Sequence, residues 1–358
     1  MGVIKVLVID DSAVIRQVLS EILNAAPGIE VVGTASDPLI ARQKIKRLHP
    51  DVLTLDVEMP RMDGITFLKN LMRLHPLPVV MISALTKEGA DTTLKALELG
   101  AIDYIAKPNQ HLGDGLSEYA DEIVSKVRTA AVARLRLPRL TGAVPQTVPR
   151  KQDADAVLLR RTLSTASTAA PVIIGIGAST GGTEAIKEIL CELPPTMPAI
   201  VISQHIPEAF SKPFAERLNA LSSLTVVEAE SGKEILPGHV YIAPGNRHLL
   251  VVRHATRYYC ELNDGPLVNR HKPSVDVMFR SLAQSAGGRG IGVMLTGMGQ
   301  DGAESMGEMQ AAGAVTLAQD EMSSVVWGMP GAVVKRGFAD EVLSLGKMAQ
   351  RLIKLAGQ

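Results

Sequence analysis

The chain has 358 residues, room for two domains of ordinary size, each with its own core. Lys+Arg and Asp+Glu both number 37, so no global charge draws it to nucleic acid or to an anionic membrane, and 3% aromatics leave little to stack on exposed bases. Two cysteines without C-x-x-C spacing, no apolar run of membrane-spanning length and no leader pattern in Met1-Gly2-Val3-Ile4-Lys5 point to a reducing cytoplasm and no membrane insertion.

From residue 3 onward, short β-rich runs alternate with helical patterns: Val6–Ile9, Val31–Thr34, Val52–Leu55, Val79–Ser83 and Tyr104–Ala106. Near-continuous apolar strands separated by helices predict a parallel sheet covered on both faces, with functional groups at the carboxyl ends of its strands. Asp10 and Asp11 end the first run and Asp56 ends the third. Three carboxylates gathered there would raise one another's pKa values, and a hard divalent cation with oxygen ligands, Mg²⁺, resolves the repulsion. With that charge offset, Asp56 can attack a phosphoryl donor. Lys107, ahead of Pro108, supplies a fixed positive charge, and Ser83 offers a hydroxyl to a phosphate oxygen. Taken singly, adjacent aspartates after a strand read equally as helix caps, and Lys-Pro as a turn.

A helical pattern from about Ser117 to Leu137 closes this unit. Prolines and scattered Ser, Thr and Ala then run to Ala170, the composition of a linker. Residues 134–161 hold seven Lys/Arg against two Asp. They read as a solvated tether or as a docking segment for an acidic partner.

A second alternation follows: Val172–Ile176, Ala199–Gln204, Leu224–Glu228, Val240–Ala243, His248–Arg253, Gly292–Thr296 and Ala314–Ala318. It predicts a doubly wound, mostly parallel α/β domain, with room for an antiparallel pair near 240–262. Between its first run and the helical spacing of Ile186, Ile189, Leu190 and Leu193 lies Gly175-Ile176-Gly177-Ala178-Ser179-Thr180-Gly181-Gly182. A serine on a glycine-lined strand-to-helix turn is placed for nucleophilic attack, where backbone amides and a helix dipole meet developing negative charge. The glycines are read as serving unusual dihedrals and close backbone approach. The same glycines also suggest a dinucleotide fingerprint, which expects an acidic residue after the next strand. That strand ends in His205, wrong for a ribose and right for a general base. Asp301, in Thr296-Gly297-Met298-Gly299-Gln300-Asp301-Gly302, is the candidate acid that orients His205, and the Met298 N–H the candidate oxyanion donor. Thr180 serves to hydrogen-bond His205, to line the pocket or to cap the helix. The order Ser…His…Asp differs from that of α/β-hydrolases.

Residues 3 to about 120 resemble the receiver domains of two-component response regulators, through Asp10-Asp11-Ser12, Leu55-Asp56-Val57-Glu58-Met59-Pro60-Arg61-Met62-Asp63-Gly64, Ile82-Ser83-Ala84 and Asp103-Tyr104-Ile105-Ala106-Lys107-Pro108. The resemblance implies a flavodoxin-like (βα)5 fold with Asp56 as phospho-acceptor. It implies Asp10, Asp11, Asp56 and the Glu58 backbone carbonyl as Mg²⁺ ligands, and Ser83, Tyr104 and Lys107 as switch residues. With a linker over 121–170 and the serine domain over 171–358, the whole chain resembles the chemotaxis-type protein-glutamate methylesterases, the CheB family. The further motifs are Gln204-His205-Ile206-Pro207, Ala243-Pro244-Gly245 and His271-Lys272-Pro273-Ser274-Val275-Asp276.

This second resemblance implies phosphorylation-regulated hydrolysis of glutamyl methyl esters on methyl-accepting chemoreceptors, and in some members deamidation of glutamines. It implies a CheA-type histidine kinase as phosphodonor and no metal in the esterase domain. The domain order suggests that the unphosphorylated receiver covers the Ser179 mouth. The competing readings are a receiver-gated adaptor with a vestigial triad and a hydrolase of another ester or a peptide under receiver control.

Overall fold

Val6–Ile9 is fully buried within the strand Ile4–Ile9 (β1), as an apolar run must be when helices cover both faces of a sheet. β1 is followed by α1 (Ala13–Ala25), β2 (Ile29–Ala35), α2 (Pro38–Leu48), β3 (Val52–Asp56), α3 (Gly64–Leu74), β4 (Val79–Ser83), α4 (Lys87–Glu98), β5 (Asp103–Ala106) and α5 (Leu116–Val132). The strands form one sheet in the order β2-β1-β3-β4-β5, every pairing parallel. Connections leave β1 and β3 toward opposite sides, which opens a crevice at their carboxyl ends. The cap of α1 is Ser12, whose Oγ accepts from Ile15 N. Asp10 and Asp11 are therefore not the capping residues.

This computed structural model describes residues 2–59, 62–84, 86–107, 116–133, 152–160 and 170–357. The chain divides into two units, Met1–Gly142 and Ala143–Gln358. Pro60, Arg61, Pro108 and most of the basic segment lie outside the described residues.

In the second unit, β6 (Ile173–Ala178) leads to α6 (Gly182–Glu192), β7 (Ala199–Gln204), α7 (Glu208–Leu221), β8 (Thr225–Glu228) and β9 (His239–Ile242). β10 (His248–His254), β11 (Arg257–Asn263), α8 (Val275–Ser285), β12 (Gly290–Met294), α9 (Ala303–Ala311), β13 (Val315–Gln319), α10 (Met329–Lys335), β14 (Glu341–Leu343) and α11 (Leu345–Ala356) complete it. Seven strands form an all-parallel sheet in the order β14-β13-β12-β6-β7-β9-β8. The antiparallel pair expected near 240–262 is present: His248–Arg253, within β10, pairs antiparallel with β11, in a hairpin separate from the parallel sheet. That hairpin packs on α8, where Ser281 and Ser285 bond the Val251 backbone.

Two readings change. Gly175 and Gly177 are strand residues, and their missing side chains admit α8. A methyl group at Gly175 would come within 2.3 Å of Leu282, and one at Gly177 within 2.3 Å of Val275. The turn itself needs left-handed backbone only at Gly181, with φ 76°. Residues 152–160, read as tether, belong with the second unit. There a 3-10 turn at Ala154–Ala156 lies against α8 and buries Ala154. The reason is Arg280 on α8, a buried guanidinium that must be paired: it bonds Glu308 through two nitrogens and Asp155 at 2.6 Å.

Candidate active site and acid pocket

In the first unit the pocket grows from strand ends. Asp10 follows β1, Asp56 ends β3 and Lys107 follows β5; Lys107 N donates to Ser83 O, binding the ends of β4 and β5 together. Ligand oxygens of Asp10, Asp11 and Asp56 lie within 4.8 Å of one another. Lys107 Nζ sits 2.8 Å from Asp56 Oδ1 and 3.7 Å from Asp10 Oδ2. One cation does not satisfy this much carboxylate: Asp10 Oδ2 and Asp56 Oδ2 are buried without a hydrogen-bond partner. Burial pushes Asp56 up to about 6, with the Asp10 charge adding to it and Lys107 opposing; burial raises Asp10 likewise. Orphaned, desolvated carboxylate oxygens of this kind fit a divalent cation. Glu58 donates its N–H to Asp56 Oδ1, and Ser83 Oγ donates to Gly89 O. The Tyr104 ring is buried, with Lys126 Nζ 4.9 Å from its centre.

In the second unit three neighbouring strands end at one place: Ser179 follows β6, His205 follows β7 and Asp301 lies beyond β12. β6 stands between the other two. Ser179 N donates to Thr296 O and His205 N to Ala178 O, so backbone bonds hold these ends together. Gln204 Nε2 donates to both Ser179 O and His205 O, a clamp across serine and histidine. His205 Nε2 lies 2.9 Å from Asp301 Oδ2, and its other ring nitrogen, Nδ1, is buried without a partner. The His205 ring stacks on His271 at 3.7 Å.

Asp301 is buried and heavily bonded. Oδ2 also accepts from Val275 N, and Oδ1 accepts from Ser274 Oγ and Asn269 Nδ2. Burial alone would raise its pKa, but the His205 hydrogen bond and charge, with His271 and Asn269, hold it well below the usual carboxylate range. Beside it, burial and the Asp301 charge push Asp276 up to about 7. The Gly297–Met298 turn lies directly on the serine: a methyl group at Gly297 would meet Ser179 Cβ at 2.9 Å.

Residues 174–352 match the family described as CheB methylesterase, and residues 6–113 match the response regulator receiver domain. The chain is 56% identical over 373 residues to the protein-glutamate methylesterase/protein-glutamine glutaminase of Hydrogenovibrio crunogenus, covering 99% of each. The chain belongs to the CheB methylesterase family.

A relative from Xanthomonas campestris pv. campestris with the same printed name, numbered 1, is 56% identical over 358 residues, 99% of this chain and 98% of its own. The crystal structure of the Thermotoga maritima CheB methylesterase catalytic domain is 39% identical with a TM-score of 0.51, covering 52% of this chain and 99% of that one. As a CheB methylesterase family member with a receiver domain, the chain is a hydrolase of the response-regulator class. Among the described residues no helix is long and apolar enough to cross a membrane.

Nothing in the sequence marks Gln204 as a clamp or Asn269 as a support, and Ser274 and Asp276 stand out there only as part of a family motif, because a hydrogen-bond partner drawn from a distant loop leaves no periodicity.

Proposed function

We propose that this chain hydrolyses glutamyl methyl esters on methyl-accepting chemoreceptors, and deamidates glutamines there, under control of phosphorylation at Asp56. The observation that carries the reading is His205, bonded through Nε2 to Asp301 with Nδ1 buried and unpartnered, and tied to the Ser179 backbone through Gln204. His205 Nδ1 takes the proton as Ser179 Oγ attacks the side-chain ester carbonyl carbon. The Met298 N–H donates to the tetrahedral oxyanion. Collapse breaks the carbon–methoxy bond, and His205 returns the proton so that methanol leaves. Water, deprotonated by His205, then releases the glutamate and restores Ser179. A glutamine substrate follows the same path with ammonia as leaving group. Asp301 keeps His205 in the required tautomer and stabilises its cation.

In the receiver, Asp10, Asp11, Asp56 and the Glu58 carbonyl would hold Mg²⁺, which offsets charge on the acceptor and the phosphoryl group. Asp56 accepts the phosphoryl group from a CheA-type histidine kinase, Lys107 pairs with its charge, and Ser83 and Tyr104 relay the change.

Methanol release from methylated receptor membranes tests the reading. The wild type with a phosphodonor gives methanol at a raised rate, Asp56→Asn only the basal rate, and Ser179→Ala none. Methanol production independent of Ser179 refutes it.

A further inference from the structure

Asn269 stands in a tight turn, Val268 to His271, whose outer residues exchange backbone bonds at 3.1 and 2.8 Å. Both central residues have positive φ, 52° at Asn269 and 73° at Arg270. Asparagine tolerates that conformation better than most residues. Its side-chain amide has two N–H groups and faces two buried carboxylates: Nδ2 lies 2.8 Å from Asp301 Oδ1 and 2.6 Å from Asp276 Oδ2. One amide thus bridges both carboxyl groups. The same turn carries His271, whose ring stacks on His205. A single turn therefore braces both the histidine and the aspartate.

The turn is in turn held from outside. Asn269 N donates to Gln152 O at 2.9 Å. Ala154 packs with Val268, Leu250 and Val277 in a small apolar cluster, joined by Val157 and Leu158. Arg280 binds this strap through Asp155 and Leu158 O, Gln284 bonds Leu159 O, and Arg160 pairs with Glu308. The strap is the stretch through which the chain, coming from the first unit, joins the second.

We infer that Asn269 is a positioning residue for Asp301 and His205, and that the strap Gln152–Arg160 is the clamp that keeps it in place. This rests on the proposed triad. Removing the amide leaves two buried carboxylates without their shared donor, so Asp301 no longer holds His205 in one orientation. The effect falls on the chemical step and not on substrate binding.

The test uses the full chain. Asn269→Gly keeps the left-handed backbone and its N–H while deleting only the amide. The expected result is a kcat for methanol release lowered roughly tenfold or more at unchanged KM. Labelling of Ser179 by a fluorophosphonate slows in parallel, and the downfield proton signal of the His205–Asp301 bond weakens. Asn269→Asp, nearly the same size but an acceptor, is slower still, the reverse of what space-filling alone would give. Asp155→Ala loosens the strap at a half-exposed side chain without touching Asn269, and lowers kcat severalfold at unchanged KM; it carries the test where Asn269→Gly fails to fold. A folded Asn269→Gly with wild-type kcat and labelling rate overturns the positioning role, and an Asp155→Ala of wild-type kcat overturns the clamp. If Ser179→Ala itself retains turnover, the triad reading fails first and this inference with it.

Discussion

Asp56 and Asp10 are carboxylates whose burial works against their own ionisation. Both have pKa values raised by desolvation, Asp56 to about 6 from the ordinary 3.8. A raised pKa means the folded state binds a proton more tightly than the unfolded chain. The Asp56 contribution to stability is therefore fully present below about pH 4 and lost as pH rises through about 6, in protein free of divalent cation, and Asp10 acts in the same direction. Thermal melting of the first unit between pH 4 and 7 checks the sign. Asp56→Asn, which removes one buried charge but also its Lys107 partner bond, should stabilise the metal-free unit at pH 7 by about 1 kcal/mol. Added Mg²⁺ should reverse the order, stabilising the wild type more than the variant, and more strongly at pH 7 than at pH 5 because the ligands must be deprotonated. A variant that melts lower than the wild type without metal would count against this account of the pocket.

Much at this scale was legible in the chain. Asp10, Asp56 and Lys107 stand at strand ends, where an alternating α/β pattern always gathers groups, and so do Ser179 and His205. Asn269 and Gln204 were not legible as supports, because their work depends on which carboxylate or carbonyl happens to face them across the fold.

At the scale of elements, the loops that carry the site are shaped by what approaches them. Gly245 shows this most sharply: a methyl group there would meet the backbone of Ile206, Pro207 and Glu208 at 2.2 to 2.4 Å. Its N–H also donates to Ser211 Oγ on α7, which in turn bonds Glu228. Backbone cannot move aside as a side-chain tip can, so Gly245→Ala should displace the segment that leaves His205. The expected cost is about 3 kcal/mol of stability, with kcat reduced beyond what the loss of folded protein explains. Chemical denaturation and active-site labelling of the same sample separate the two effects; unchanged stability would show that the loop yields. The motif Ala243-Pro244-Gly245 was visible as residues, but its reason was not. Likewise Gly175 and Gly177 read as turn glycines and proved to be the floor on which α8 packs. A sequence marks that a side chain is missing, whereas the element that fills the space comes from a hundred residues away.

At the scale of the molecule, two units with separate sheets share one chain, and the boundary between tether and enzyme lies inside the linker. Arg280 decides it. A guanidinium buried on α8 with Glu308 and Asp155 fixes the strap to the second unit. Two truncations test this. A chain beginning at residue 151 keeps the strap and should release methanol without phosphodonor, at or above the unphosphorylated full-length rate. A chain beginning at 161 leaves Arg280 with Glu308 but without Asp155 and uncovers Val268, and should lose most activity and melt lower. Equal activity and stability of the two chains would make the strap dispensable.

The alternation of apolar runs and helical patterns, read with the acidic and glycine-rich strand ends, was enough by itself to determine two α/β units, an acid pocket and a serine turn. Those properties follow from local periodicity and from the rule that parallel strands present their carboxyl ends together. Only the tertiary structure decided that β6 lies between β7 and β12, and that His205 meets Asp301 through Nε2. It alone placed a turn at Asn269, held by residues 152–160, behind the aspartate. Strand order and hydrogen-bond partnership are set by packing between distant segments, and no window of sequence contains both sides of such a contact.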